Sequence, residues 1–162
     1  MNDLTVLADI ARYGLVLVLL YLAYVDFQSF RLPDAITYRL IAGGLLFNLA
    51  LDIRFSSPQD AFFGTVLGFG FLWLLNQAYR ILRGRDGIGM GDAKLLAGLG
   101  AWLGWQALPA IVLLASLSGL IGGLIWLYWK KQDSSQAFPF GPFLAFAGII
   151  HLLWPQLLRL PL

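Results

Sequence analysis

Long apolar runs separated by short polar connections dominate the chain. Six of them approach the roughly 20 residues that a membrane-spanning helix needs. They extend from about Leu4 to Val25, Ala35 to Leu51, Ala61 to Tyr79, Asp92 to about Trp105, Leu108 to Trp129, and Phe140 to about Leu158. The fourth run is short enough to be a re-entrant segment instead. Polar connections fill 26–34, 52–60, 80–91, 104–107 and 130–139, with no repeat or low-complexity tract among them. The pattern predicts an all-α membrane protein: a bundle of about six transmembrane helices with short loops, forming one domain over 1–162. The first run lacks a basic start and a small-residue cleavage site, so it reads as a retained anchor.

Composition sharpens this picture. The chain of 162 residues is 59% hydrophobic and only 12% charged, against about a quarter charged in soluble domains. Its mean hydropathy is +0.76. There is no Cys and a single His, His151, which excludes thiol nucleophiles, disulfides and multi-His metal sites. All nine acids are Asp, so any carboxylate chemistry belongs to Asp. Arg31, Arg39, Arg80, Arg83, Arg85, Lys94, Lys130 and Lys131 fall on or beside the first, third and fifth connections. Arg12, Arg54 and Arg159 fall on the other side. Positive residues collect on the cytoplasmic side, so the odd-numbered loops should be cytoplasmic and both termini outside.

Two acids stand out by position. Asp26 ends the first run, and Asp92 opens the fourth in Gly89-Met90-Gly91-Asp92-Ala93-Lys94. Topology brings both to the cytoplasmic membrane face. Carboxylates at membrane depth are costly and are candidates for function. Two facing carboxylates share a proton and titrate as a pair. One then activates water while the other protonates a scissile carbonyl. Gly89 and Gly91 would allow close backbone approach and unusual dihedrals. Each acid alone has a plainer reading, Asp92 as a helix N-cap and Asp26 as an interfacial residue. Asp34 follows Pro33 and reads chiefly as a cap, with a possible part in binding a basic substrate. Asp86 reads as solvated. Lys94 would either act on a neighbouring Asp or anchor at the headgroups.

These residues resemble a known family. The segment Asp26-Phe27-Gln28-Ser29-Phe30-Arg31-Leu32-Pro33-Asp34-Ala35-Ile36-Thr37 is similar to the first signature of type IV prepilin peptidases. The stretch Gly87-Ile88-Gly89-Met90-Gly91-Asp92-Ala93-Lys94-Leu95-Leu96, followed by Leu99 to Trp105, resembles their GxGD-x-K block. Phe138-Pro139-Phe140-Gly141-Pro142-Phe143-Leu144-Ala145 resembles the motif that opens their last helix. The resemblance implies an aspartic endopeptidase of the bacterial inner membrane, with its active site facing the cytoplasm. Its partners would be prepilins or pseudopilins with a basic leader, for type IV pili or type II secretion, and no nucleic acid. It implies Asp26 and Asp92 as the catalytic pair and no metal or other cofactor. Gly89, Gly91, Lys94, Asp34, Pro139 and Gly141 would supply substrate-binding or supporting positions. Larger bacterial members carry paired CxxC motifs in a region that accompanies N-methylation. With no Cys here, the expectation is peptidase without methyltransferase.

Other readings compete. Ser118 and His151 would supply a rhomboid-like dyad, although a membrane Ser usually bonds backbone. A presenilin-like protease would use the same two Asp residues at greater depth. A small transporter or assembly subunit is the non-enzymatic alternative; a transporter would need its acids near the bilayer midplane. Gly64-x-x-x-Gly68 and Gly119-x-x-Gly122-Gly123 fit helix packing in any membrane bundle.

Overall fold

The computed structural model describes residues 3–50, 54–85, 87–130 and 139–156. Six α-helices follow one another: α1 (Asp3–Ser29), α2 (Asp34–Ala50), α3 (Pro58–Arg83), α4 (Met90–Leu103), α5 (Leu108–Lys130) and α6 (Gly141–Leu153). A single 3-10 turn, Trp105–Ala107, joins α4 to α5. Asp86 and the residues 131–138, with Lys131 and Phe138, lie outside the described residues, as do Asp52 and Arg159.

Local chemistry explains where the helices depart from their apolar runs. α1 continues past Asp26 to Ser29, whose Oγ bonds Val25 O at 2.8 Å. It stops where Phe30 turns left-handed (φ 53°) and Pro33 follows two residues after Arg31. α3 starts three residues before its apolar run. Ser57 caps it, accepting the Asp60 N–H at 3.1 Å and donating to Asp60 Oδ2 at 2.6 Å, with Pro58 in the first turn. At its other end, α3 extends through Arg83 to a left-handed Gly84. α4 begins at Met90 and is stopped by Gly104, at φ 83°. α6 ends at Leu153, earlier than the apolar run, one residue before the Trp154-Pro155 step.

α4 is the hub. Nine of its 14 residues are buried, which no surface helix achieves. α3 and α2 pack on it most extensively, and α6 and α5 complete its surround; α1 is held chiefly by α6. The α3–α4 seam is backbone against backbone, because Gly64 meets Gly100 and Gly68 meets Leu96. Small residues allow this approach, which dispersion and close packing reward in lipid. Leu95, Leu96, Leu99, Ile111 and Leu144 fill the centre.

The exterior is apolar: Leu17, Leu74 and Leu120 are each more than 60% exposed. Patches of this extent are unstable in water and match lipid. Three helical stretches, Thr5–Ser29, Pro58–Arg83 and Trp105–Ile125, are long and apolar enough to cross a bilayer. The molecule is an all-α integral membrane protein whose long helices stand beside three shorter ones. At the end opposite the aspartates, Asn48 is fully buried. It donates to Ala101 O (2.8 Å) and Trp102 O (3.0 Å) and accepts the N–H groups of Phe55 and Ser56.

Candidate active site

On α1 the buried positions Leu15, Leu19, Leu22 and Asp26 follow the three-and-four spacing of one helix face. Asp26 is the next position on the core-facing stripe and only 5% exposed. Continuation of the helix through Ser29 turns its carboxylate inward, so it is not an interfacial side chain at a helix end. Asp92 is 8% exposed in the first turn of α4. It does not cap that helix: Gly89 holds the N-cap position, and the Asp92 N–H bonds Gly89 O at 3.1 Å.

The two carboxylates meet at the start of α6. A methyl group built on Gly141 would lie 2.5 Å from Asp26 Oδ2 and 3.2 Å from Asp92 Oδ1. Both carboxylates therefore come within reach of one carbon position, which only glycine leaves open. The Gly141 backbone N–H faces the Asp26 carboxyl group. Asp26 Oδ2 is buried with no hydrogen-bond partner among the described residues, an arrangement that costs energy in a purely structural carboxylate.

A cleft of about 1250 Å³ opens from the pair. The loop ending α1, the last turns of α3, the 87–91 segment and the entry to α6 line it, including Phe30, Tyr79, Gly89 and Pro139. Arg31, Arg85, Asp34 and Lys94 also border it.

The supporting residues fall out unevenly. Gly89 has an ordinary extended backbone (φ −66°), and a side chain there would meet Asp92 Oδ2 at 3.5 Å, an allowed contact. The expectation of unusual dihedrals is corrected on that point. Gly91 is tight for another reason: a Cβ would lie 2.9 Å from the Leu32 Cβ, so it seats α4 against the α1–α2 loop. Asp34 is not a capping side chain, because the Ile36 and Thr37 N–H groups bond Pro33 O. Its Oδ1 instead accepts from Lys94 Nζ at 2.6 Å, and that ammonium also sits 4.8 Å from the Tyr38 ring centre.

Ser118 Oγ donates to its own helix at Leu114 O, 2.7 Å away. Its neighbour Gly119 packs on Phe140 and Phe143, at the start of α6, whereas His151 is in the last turn of that helix. Eight residues of helix rise, about 12 Å, separate those levels, so Ser118 and His151 are not brought together. Among the described residues no cluster of three or more His, Cys, Asp or Glu is arranged to hold a metal ion.

One important residue has no signature in the sequence. Asn76 of α3 is 6% exposed, and its Oδ1 accepts the N–H groups of Gly87 (2.9 Å) and Ile88 (3.0 Å). Its only advance signal is a polar amide within an apolar run.

The chain is 48% identical over 137 residues to the prepilin leader peptidase/N-methyltransferase of Aeromonas hydrophila, covering 85% of this chain and 47% of that protein. It is 47% identical over 135 residues to the protein of that name from Pectobacterium carotovorum subsp. carotovorum, covering 83% of this chain and 48% of the relative. The Burkholderia pseudomallei (strain K96243) protein is 42% identical over 147 residues, covering 91% and 47%. The chain thus spans about half the length of these relatives. No solved structure matches it. The type IV leader peptidase family matches residues 13–124, a segment that contains both Asp26 and Asp92, and the chain belongs to that family.

Proposed function

We propose that this chain is a membrane aspartic endopeptidase that removes the basic leader from type IV prepilins or type II secretion pseudopilins, with Asp26 and Asp92 as its catalytic pair. The observation that carries the reading is the shared contact at Gly141: one carbon atom there would touch both carboxylates. Membership of the leader peptidase family and the names of the relatives support the substrate class.

The chemistry is a balanced hydrolysis. Facing acids hold one proton between them. The ionised carboxylate takes a proton from water as the oxygen attacks the scissile carbonyl carbon. The protonated partner gives its proton to the carbonyl oxygen. The tetrahedral diol then collapses: the carboxylate now ionised takes back a proton from one diol hydroxyl as the C–N bond breaks, and the other carboxyl gives its proton to the leaving amine, which restores the singly protonated pair. The reaction consumes one water and calls for no metal or other cofactor. A coupled pair has no private acid and base, so the two roles belong to the pair.

The cleft lies among helix ends that carry Arg31, Arg80, Arg83 and Arg85. This clustering supports a cytoplasm-facing site in a bacterial inner membrane. Residues 1–162 act here as one membrane domain. Gly141 and Gly91 keep the site compact, Pro139 and Gly89 line it, and the Asp34–Lys94 pair stands at its rim.

The direct test is leader cleavage from a prepilin-type protein by membranes containing this chain. Loss of the leader should require both Asp26 and Asp92. Cleavage that survives Asp26→Asn and Asp92→Asn in normally inserted protein would overturn the aspartyl mechanism.

A further inference from the structure

Asp92 is delivered to the site by a short connection, and something has to hold that connection still. Residues 87–89 lie between α3 and α4 and belong to neither, so their N–H groups have no helical partner. One side chain takes two of them, Asn76 Oδ1, from within α3. Tyr79, one turn further along α3, lies against Gly87 so closely that a Cβ there would be 2.5 Å from the ring. The segment is thus pinned by an amide and a ring from one helix face. Gly89 follows, caps α4 and accepts the Asp92 N–H. Few rotatable bonds separate the clamp from the carboxylate.

We propose that Asn76 is a positioning residue: by binding the Gly87 and Ile88 N–H groups, it sets where Asp92 stands against Asp26. The inference rests on the aspartyl peptidase reading.

The fold supplies its own control. Asn48 is equally buried and clamps two successive N–H groups, those of Phe55 and Ser56. It does so at the far end of α4, beside Ala101 and Trp102. Loss of either amide removes the side-chain partner of two part-buried backbone N–H groups and destabilises the protein. Only the loss of Asn76 should move the catalytic pair.

The test uses the full chain in membranes with a prepilin-type protein as substrate, and rates are expressed per folded molecule. Asn76→Ala should lower kcat by about 10- to 100-fold, the scale of a misplaced reacting group. KM should change by less than about threefold, since binding is not the step removed. The limbs of its pH–rate profile should also move, because the spacing of the pair sets its coupling. Asn48→Ala should lose thermal stability yet keep kcat per folded molecule. Amide exchange in the segment 84–92 should quicken in Asn76→Ala and not in Asn48→Ala.

Unchanged exchange in Asn76→Ala overturns the clamp, whatever the activity. Wild-type kcat in Asn76→Ala, or an equal kcat loss in Asn48→Ala, overturns the positioning role. A wild-type chain that cleaves no prepilin-type substrate overturns the peptidase reading instead, and the catalytic role of Asn76 falls with it.

Discussion

Gly141 is the position where a single carbon decides between an open and a blocked site. A side chain there would press on both Asp26 Oδ2 and Asp92 Oδ1. Gly141→Ala should therefore insert and fold but cleave at least about tenfold more slowly, because the added methyl forces the carboxylates apart. A cleavage assay on membranes with matched protein levels checks this. Asp26→Asn and Asp92→Asn should each cost at least about 100-fold, the low end for a lost acid–base group. The cleavage rate should be bell-shaped in pH. At low pH both acids are protonated and no base remains; at high pH both are ionised and no acid remains. The two aspartates were readable in the sequence because carboxylates are rare in apolar runs. The motif that opens the last helix marked Gly141 as a supporting position, but why it must be glycine was not readable, since its neighbours in space come from two other helices. Asn76 was missed for a related reason: an amide in an apolar run does not announce which loop it will hold.

At the scale of elements, the six helices follow the apolar runs, and their ends follow local chemistry. The Ser57-Pro58-Gln59-Asp60 start of α3 is a capping pattern visible in sequence, yet the apolar run alone places the start later. α1 outlasts its run because Asp26 occupies a buried stripe position, a polar residue that hydropathy takes for an end. Gly64 and Gly68 were legible as packing residues, but the identity of their partner was not. That partner is the α4 backbone at Gly100 and Leu96. Gly64→Leu should push α3 off α4 and cost about 1–3 kcal/mol by overpacking. A lower midpoint of thermal unfolding in detergent would register it.

For the whole molecule, the prediction concerns sidedness. The sequence contains no Cys, so each introduced thiol is a unique label. Arg83→Cys, at the cleft end of α3, should react with an impermeant maleimide only from the cytoplasmic side. Ser56→Cys, at the opposite end, should react only from outside. The reverse pattern would place the cleft on the wrong face for a cytoplasmic leader. The expected orientation rests on the charge count alone, which depends on how many cations flank each loop and not on how helices pack.

α4 is short, and although it is enclosed, its shortness bears on the lipid through its short neighbours α2 and α6. Its 14 residues rise about 21 Å, against a hydrocarbon layer of about 30 Å. Together with α2, of 17 residues, and α6, of 13, it makes one part of the molecule shallower than the membrane that surrounds it. A bilayer meets such a mismatch by dimpling toward the shorter surface, at a cost of fractions of a kcal/mol per ångström. The headgroup boundary is thereby drawn down toward the carboxylates. On the peptidase reading proposed above, a substrate anchored by its own helix would meet the pair at the water's edge without being lifted out of the lipid.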